Sequence, residues 1–284
     1  MDALQKKLMA LLSPFNAEGL QKKRLGRRHD GGYVVPINIA RQARACLTYG
    51  VSDDISFELD LVRACPDLRV FLFDHTIEAP PAHPASFRFF REGVTGRRNE
   101  VVRPWGGRAR GVRMGGLGVW IERAPFRIRW NRLGTIPAHI RRLGLKGQPI
   151  LLKIDVEGCE YDALRVVSDA VFSQVSMLIM EMHDLDEPET VTAAVQILSR
   201  IRRTLTLVHL HGNNRKPPVE TSDGLRYPRV LEVVFVNNRL IEGAVPAASG
   251  FPSALDQPCD PERPESDLSF IFAPAIQALG RDLD

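Results

Sequence analysis

One stretch constrains the fold of this chain more than any other: Ile150-Leu-Leu-Lys-Ile-Asp-Val-Glu-Gly-Cys-Glu-Tyr-Asp-Ala-Leu164. Ile150, Leu151, Leu152, Ile154 and Val156 make a short, nearly continuous apolar run, the mark of a strand covered on both faces in a parallel sheet. Lys153, Asp155 and Glu157 interrupt the run at every second position, so their side chains are expected to leave the strand on one side. Charge on a buried strand is costly unless something uses it. Gly158 then permits a sharp turn, and Glu160 falls in the first turn of the next helix, where its charge suits the helix dipole. Open parallel sheets take ligands outside the carboxyl ends of their strands, which is where Asp155 and Glu157 fall. That end of the strand is the expected reaction centre.

The rest of the chain supplies the companions such a strand needs. Cys46-Leu-Thr-Tyr-Gly-Val-Ser-Asp-Asp-Ile-Ser-Phe-Glu58 reads as a strand, a turn at Gly50 and a helix start, the first unit of a doubly wound α/β fold. It lacks the three glycines of the dinucleotide fingerprint, which argues against a cofactor bearing a pyrophosphate. Arg69-Val-Phe-Leu-Phe-Asp74 reads as a second strand, whose closing acid stands where a carboxylate takes a ribose diol, a reading its spacing favours over a helix cap or a solvated strand-end acid. Phe87 to Val94 reads as a third strand, Ser176 to His183, Thr206 to Asn214 and Arg229 to Val236 as later ones, with helices at Asp2–Leu12, Thr135–Leu143, Glu160–Val167 and Val191–Arg203. Asp30-Gly31-Gly32 signals a turn leading into Tyr33-Val34-Val35.

Charge is unevenly spread. Between Arg97 and Lys146 thirteen basic residues face two acidic ones, Glu100 and Glu122, and all three tryptophans, Trp105, Trp120 and Trp130, lie in the same tract. Paired glycines break it up, so an insertion of strands or loops over about 97–133 is expected. Two readings stand: a solvated basic face anchored by tryptophans, or arginine forks holding phosphate or carboxylate while a tryptophan stacks on a sugar or base. After Gly243 the chain turns proline-rich and reads as an extended surface segment, with Ser266 to Leu279 expected to pack back as a short final element. The expected organisation is an N-terminal helix over 1–25, one catalytic domain over 26–242 and a C-terminal extension over 243–284. The cysteines are too scattered for a zinc pair or a disulfide framework. No apolar run is long enough to span a bilayer and no secretory h-region stands at the start, so a cytoplasmic enzyme is expected.

Among the histidines, His183 and His211 fall at strand ends on the Asp155 side of the sheet, while His209 reads as a packed residue. Asp155, Glu181, His183 and His211 suit a divalent ion by chemistry; without close spacing a metal cluster is the minority reading, and a divalent metal is left open beside the metal-free site.

Leu152-Lys-Ile-Asp-Val-Glu-Gly-Cys-Glu-Tyr-Asp-Ala-Leu164 resembles the strand and turn of the FkbM-type methyltransferases, and the resemblance extends to Asp30-Gly-Gly-Tyr33, Tyr49 to Glu58, Phe73-Asp74, Met180-Glu-Met-His183, His211-Gly-Asn-Asn214 and Leu231-Glu-Val233. It implies a class I, Rossmann-like fold, mostly parallel, that binds S-adenosylmethionine and transfers its methyl group, usually to a hydroxyl oxygen. By position it implies Gly50, Ser52 and Asp53 on the methionine side, Glu58 supporting that loop, Asp74 at the ribose and Asp30 nearby. Asp155, His183 and Glu157 are then the catalytic candidates, with His183 or Asp155 taking the acceptor proton. Trp105, Arg108, Arg110, His211 and Asn213 are expected on the acceptor side, toward an anionic or carrier-linked sugar or a similar small metabolite. A nucleic-acid methyltransferase using the basic tract, and a non-catalytic module that keeps the fold, are the alternatives.

Overall fold

The structure is a computed structural model that describes residues 3–272 apart from 97–109, 115–116, 122–127, 222–223 and 225; for 110–114, 117–121 and 128–131 it describes the backbone. Seven strands form the central sheet, numbered here along the chain: β1 Ala45–Tyr49, β2 Arg69–Phe73, β3 Phe87–Phe90, β4 Ile150–Ile154, β5 Val175–Met182, β6 Leu205–Asn213 and β7 Val230–Asn237. Their order is β3-β2-β1-β4-β5-β7-β6. All neighbours pair in parallel up to β5, and β7 then enters antiparallel between β5 and β6. This is the doubly wound, Rossmann-like, mostly parallel arrangement of a class I methyltransferase, with its order reversing beside β1.

Strand alternation sends each face of the sheet into its own core. Leu152 and Ile154 of β4 join Leu47 and Tyr49 of β1 on one face, under the helices Ala3–Leu11, Ile136–Arg142 and Pro188–Ile201. Leu151 faces the other way with Cys46, Val70 and Ile179, under the helix Ser56–Ala64 and an antiparallel hairpin of Lys22–Leu25 with Tyr33–Pro36. Lys153 and Asp155 have the parity of Leu151, so the charges emerge on the hairpin's face.

Two local expectations change. Phe87 to Val94 is not one strand: after Phe90 the chain leaves the central sheet, and Glu92–Val94 pairs in parallel with Ile128–Gly134 in a second, four-stranded sheet. That second sheet includes Arg110–Met114 and Leu117–Ile121 of the arginine-rich tract. Glu157 is not on the strand either. β4 stops at Ile154, and Glu157 lies in the turn with φ 52°, left-handed backbone that reverses the chain into the helix Glu160–Arg165.

The proline-rich C-terminal segment is more than a surface strap. It leaves Val245–Pro246 paired with Phe15–Asn16, then buries Phe251, Cys259, Leu268, Phe270 and Ile271 against the sheet edge. Gly212 in β6 marks how closely it passes, since a Cβ there would stand 2.5 Å from the Cβ of Ser266. Among the described residues, no helix is long and apolar enough to cross a membrane.

Candidate active site at the carboxyl ends of the strands

Register places a row of charges across four strands. Ile154 lies opposite Met180, so Asp155 falls beside Glu181; Glu181 lies opposite Glu232 of β7, and Glu232 opposite His211 of β6. All but Asp155 are buried, and Asp155 is half-buried. The hairpin closes over this row. The Tyr33 hydroxyl donates to Asp155 Oδ2 at 3.2 Å, and the Lys153 ammonium sits 4.9 Å from the centre of the Tyr33 ring.

His183 is the hub. Its Nδ1 lies 2.8 Å from Oε1 of Glu160, a fully buried carboxylate that also accepts from the Val156 and Gly158 amides. Its Nε2 stands 3.4 Å from Glu181 Oε2 and 3.4 Å from Glu157 Oε2. Asn213 donates to the other oxygen of Glu181 at 2.8 Å. Burial works against a charged imidazole, but the hydrogen bond to Glu160 and the fields of Glu160, Glu181 and Asp155 outweigh it and push His183 up to about 10. Burial, with Asp155 beside it, drives the Glu181 carboxyl well above the ordinary range. Lys153 is fully enclosed; burial alone would lower it, yet Glu58, Asp155 and Glu181 raise it. The result is a buried network in which each charge is held by another, costly to assemble and costly to break.

The Gly50 loop forms the neighbouring wall. Gly50 has φ 81°, and a Cβ on it would lie 1.6 Å from the Asp155 carbonyl oxygen, so the loop and the end of β4 touch backbone to backbone. Asp74 fastens the loop: Oδ2 accepts from the Val51 and Ser52 amides, both at 2.9 Å, and Oδ1 from the amide and hydroxyl of Thr76. Burial opposes its charge, but these four donors hold its carboxyl below the usual range. Ser52 and Asp53 are exposed on the rim of the loop. Glu58 is buried and turned away from it, accepting from Thr48 at 2.9 Å on the strand beside Lys153, so it holds β1 and β4 together rather than the loop.

Asp30 reaches the row from the hairpin turn. One of its oxygens lies within 4.8 Å of Glu181 and Glu232, and Arg215 pairs with it at 3.4 Å. His211, by contrast, does not join Asp155, Glu181 and His183, because β7 is inserted between β5 and β6. It lies between Glu232 at 3.0 Å and Glu265 at 3.1 Å, with Cys259 donating to Glu232 at 3.3 Å. Trp105 and Arg108 lie outside the described residues, and of Arg110 only the backbone is described. Glu160, Glu232, Cys259 and Glu265 were not among the expected site residues. Glu232 has a signal that could have found it: like Lys153, it interrupts an apolar run, Val230-Leu-Glu-Val-Val-Phe-Val236.

With the site in view, residues 135–208 match the family model described as the methyltransferase FkbM domain. This segment is similar to that domain. It carries β4, the Asp155–Glu160 turn and β5 with Glu181 and His183. Solved structures similar to the chain include a precorrin-6y C5,15-methyltransferase from Geobacter metallireducens GS-15, at 10% identity over 71% of this chain and 87% of that one, with a TM-score of 0.30. A chain described as a candidate methyltransferase from Thermobifida fusca YX is 12% identical over 71% of this chain and 77% of its own, with a TM-score of 0.31. No curated protein matches. Strand order carries the class I fold, and the matched segment holds the charged carboxyl ends of β4 and β5.

Proposed function

We propose that this protein is an S-adenosylmethionine-dependent O-methyltransferase acting on a hydroxyl of an anionic or carrier-linked sugar or a similar small metabolite, in the cytoplasm. The observation that carries the reading is the contact of the Gly50 loop with the end of β4, which sets Asp155 at the reversal point of a class I sheet inside an FkbM-type segment.

The donor set fits the cofactor. S-adenosylmethionine carries a sulfonium, an ammonium, one ribose and no pyrophosphate, and when bound it supplies a methyl group activated for displacement. This end of the sheet offers carboxylates, Asp155, Glu157 and Asp30, toward cationic groups, and a single pinned loop, Gly50 to Ser52, in place of a three-glycine pyrophosphate cradle. Asp74 supports that loop through its four hydrogen bonds, and Asp53 lies on its rim.

Asp155 is assigned the acceptor proton. It stands at the strand end, oriented by Tyr33, whereas His183 already holds its proton between carboxylates and serves to keep Glu157 and Glu181 in place. Most of the rate is assigned to alignment of the acceptor oxygen, because displacement at a methyl group needs little beyond position. Asn213, reaching Glu181, and Arg215, paired with Asp30, border the acceptor side, and Trp105, Arg108, Arg110 and His211 remain assigned there.

Replacing Asp155 with Asn preserves shape and removes the carboxylate. The variant is expected to lose at least about a hundredfold in turnover in an acceptor screen with labelled cofactor, within the span that general base catalysis supplies. Turnover equal to the parent would remove Asp155 from the chemistry.

A further inference from the structure

We propose that Asp155, Glu181 and His183 form a binding site for a divalent cation that accepts imidazole together with carboxylate, of the manganese or zinc kind. One ligand atom from each of the three lies within 4.8 Å of the other two. His183 Nε2 is 3.4 Å from Glu181 Oε2, the spacing that two ligands about 2.1 Å from a tetrahedral zinc would have, which is about 3.4 Å. Glu157 Oε2, also 3.4 Å from Nε2, borders the three without belonging to the set.

Groups outside the triad hold each of its members. Tyr33 donates to Asp155 Oδ2, Asn213 donates to Glu181 Oε1, and Glu160 Oε1 takes His183 Nδ1. Glu181 Oε2 and His183 Nε2 are thereby turned toward one another. The Glu160 contact is the telling one. Metal-binding imidazoles are commonly fixed by a carboxylate on the other ring nitrogen, and here that carboxylate is fully buried, with its second oxygen lacking any hydrogen-bond partner among the described residues. Imidazole in the set favours manganese or zinc over magnesium, which prefers oxygen ligands alone.

The other two clusters do not compete. His211, Glu232 and Cys259 satisfy one another and Glu265, with both ring nitrogens of His211 engaged. Asp30, Glu181 and Glu232 offer no nitrogen, and Asp30 is paired with Arg215. A cation at the triad would replace the Nε2 proton and, on the methyl-transfer reading, could hold the acceptor oxygen beside Asp155.

The test is titration of the metal-stripped full chain with Mn2+ and separately with Zn2+, without S-adenosylmethionine, followed by calorimetry and, for manganese, by loss of the free-ion EPR signal. One equivalent is expected to bind saturably, weakened at least tenfold in both Asp155→Asn and His183→Ala, with circular dichroism confirming that each is folded. Absence of saturable binding of either ion would overturn the proposal. So would binding that survives both substitutions, or that is lost instead in Cys259→Ser, which would put the ion in the neighbouring cluster. Because no cofactor is present, these outcomes are separate from success or failure of the methyl-transfer reading.

Discussion

Single side chains in this molecule are set by what surrounds them more than by their type. His183 and His139 show it in opposite directions. His183, ringed by carboxylates, holds its proton, whereas His139 is buried against the Phe73 ring at 4.4 Å and beside Arg142, and burial first, then Arg142, pulls it down to about 4. Glu92 opposes that shift, Arg132 adds to it, and the Tyr49 hydroxyl meets Nδ1 at 3.2 Å. The unfolded chain takes up this proton near the ordinary value of 6.5 and the folded chain only near 4. The group therefore leaves stability intact above 6.5, erodes it as pH falls through the window down to 4, and changes nothing further below, a loss on the order of 3 kcal/mol. His139→Phe, which keeps the ring stack, is expected to flatten urea-derived stability over that window; an unchanged slope would show that His139 is not its source. Gly50 is the other position where one atom decides. Gly50→Ala places a Cβ against the Asp155 carbonyl, so S-adenosylmethionine affinity is expected to fall at least tenfold in calorimetry while the fold survives.

Secondary-structure elements divide into those the sequence announces and those it does not. The helix Ile136–Arg142 is announced by Thr135 and Pro137, and in the structure the Thr135 hydroxyl accepts from the Ala138 amide at 3.3 Å. Thr135→Ala is expected to cost about 1 kcal/mol in chemical denaturation, with no loss pointing to a cap already replaced by solvent. The strands β1, β2, β4 and β5 were legible for the same local reason, apolar runs with turn residues at their ends. Legible too was the parity that sends Lys153 and Asp155 out of β4 on one side. What could not be read is anything that depends on pairing between distant segments. The position of His211 relative to His183 turns on β7 entering antiparallel between β5 and β6, and no residue of β6 encodes that. Glu160 looks like an ordinary first-turn acid, and only the packing of its helix against β5 makes it a buried partner of His183. The splitting of Phe87 to Val94 after Phe90 depends on Glu92–Val94 finding a second sheet.

For the whole molecule, the C-terminal segment is the largest feature that composition misdescribes. Its prolines suggest a surface strap, yet Asp256 pairs with His209 at 2.9 Å, Glu265 with His211, Cys259 with Glu232, and Asn214 takes three backbone carbonyls of residues 260–264. Proline fixes backbone shape but says nothing of what the intervening residues touch. Ending the chain after Ala247 would uncover this buried polar row and remove Leu268, Phe270 and Ile271 from the core, on the order of 5 kcal/mol in apolar burial alone. The truncated protein is expected to melt about 10 °C or more below the parent, and an equal melting temperature would make the segment dispensable. Binding of S-adenosylmethionine at the carboxyl ends of this sheet, by the Gly50 loop beside Asp155, is tested most directly by calorimetric titration of the purified chain with that cofactor and its demethylated product. Saturable binding of both, lost when Asp74→Ala releases the loop, is the predicted result. No binding by the folded parent, or binding indifferent to Asp74, would contradict the account.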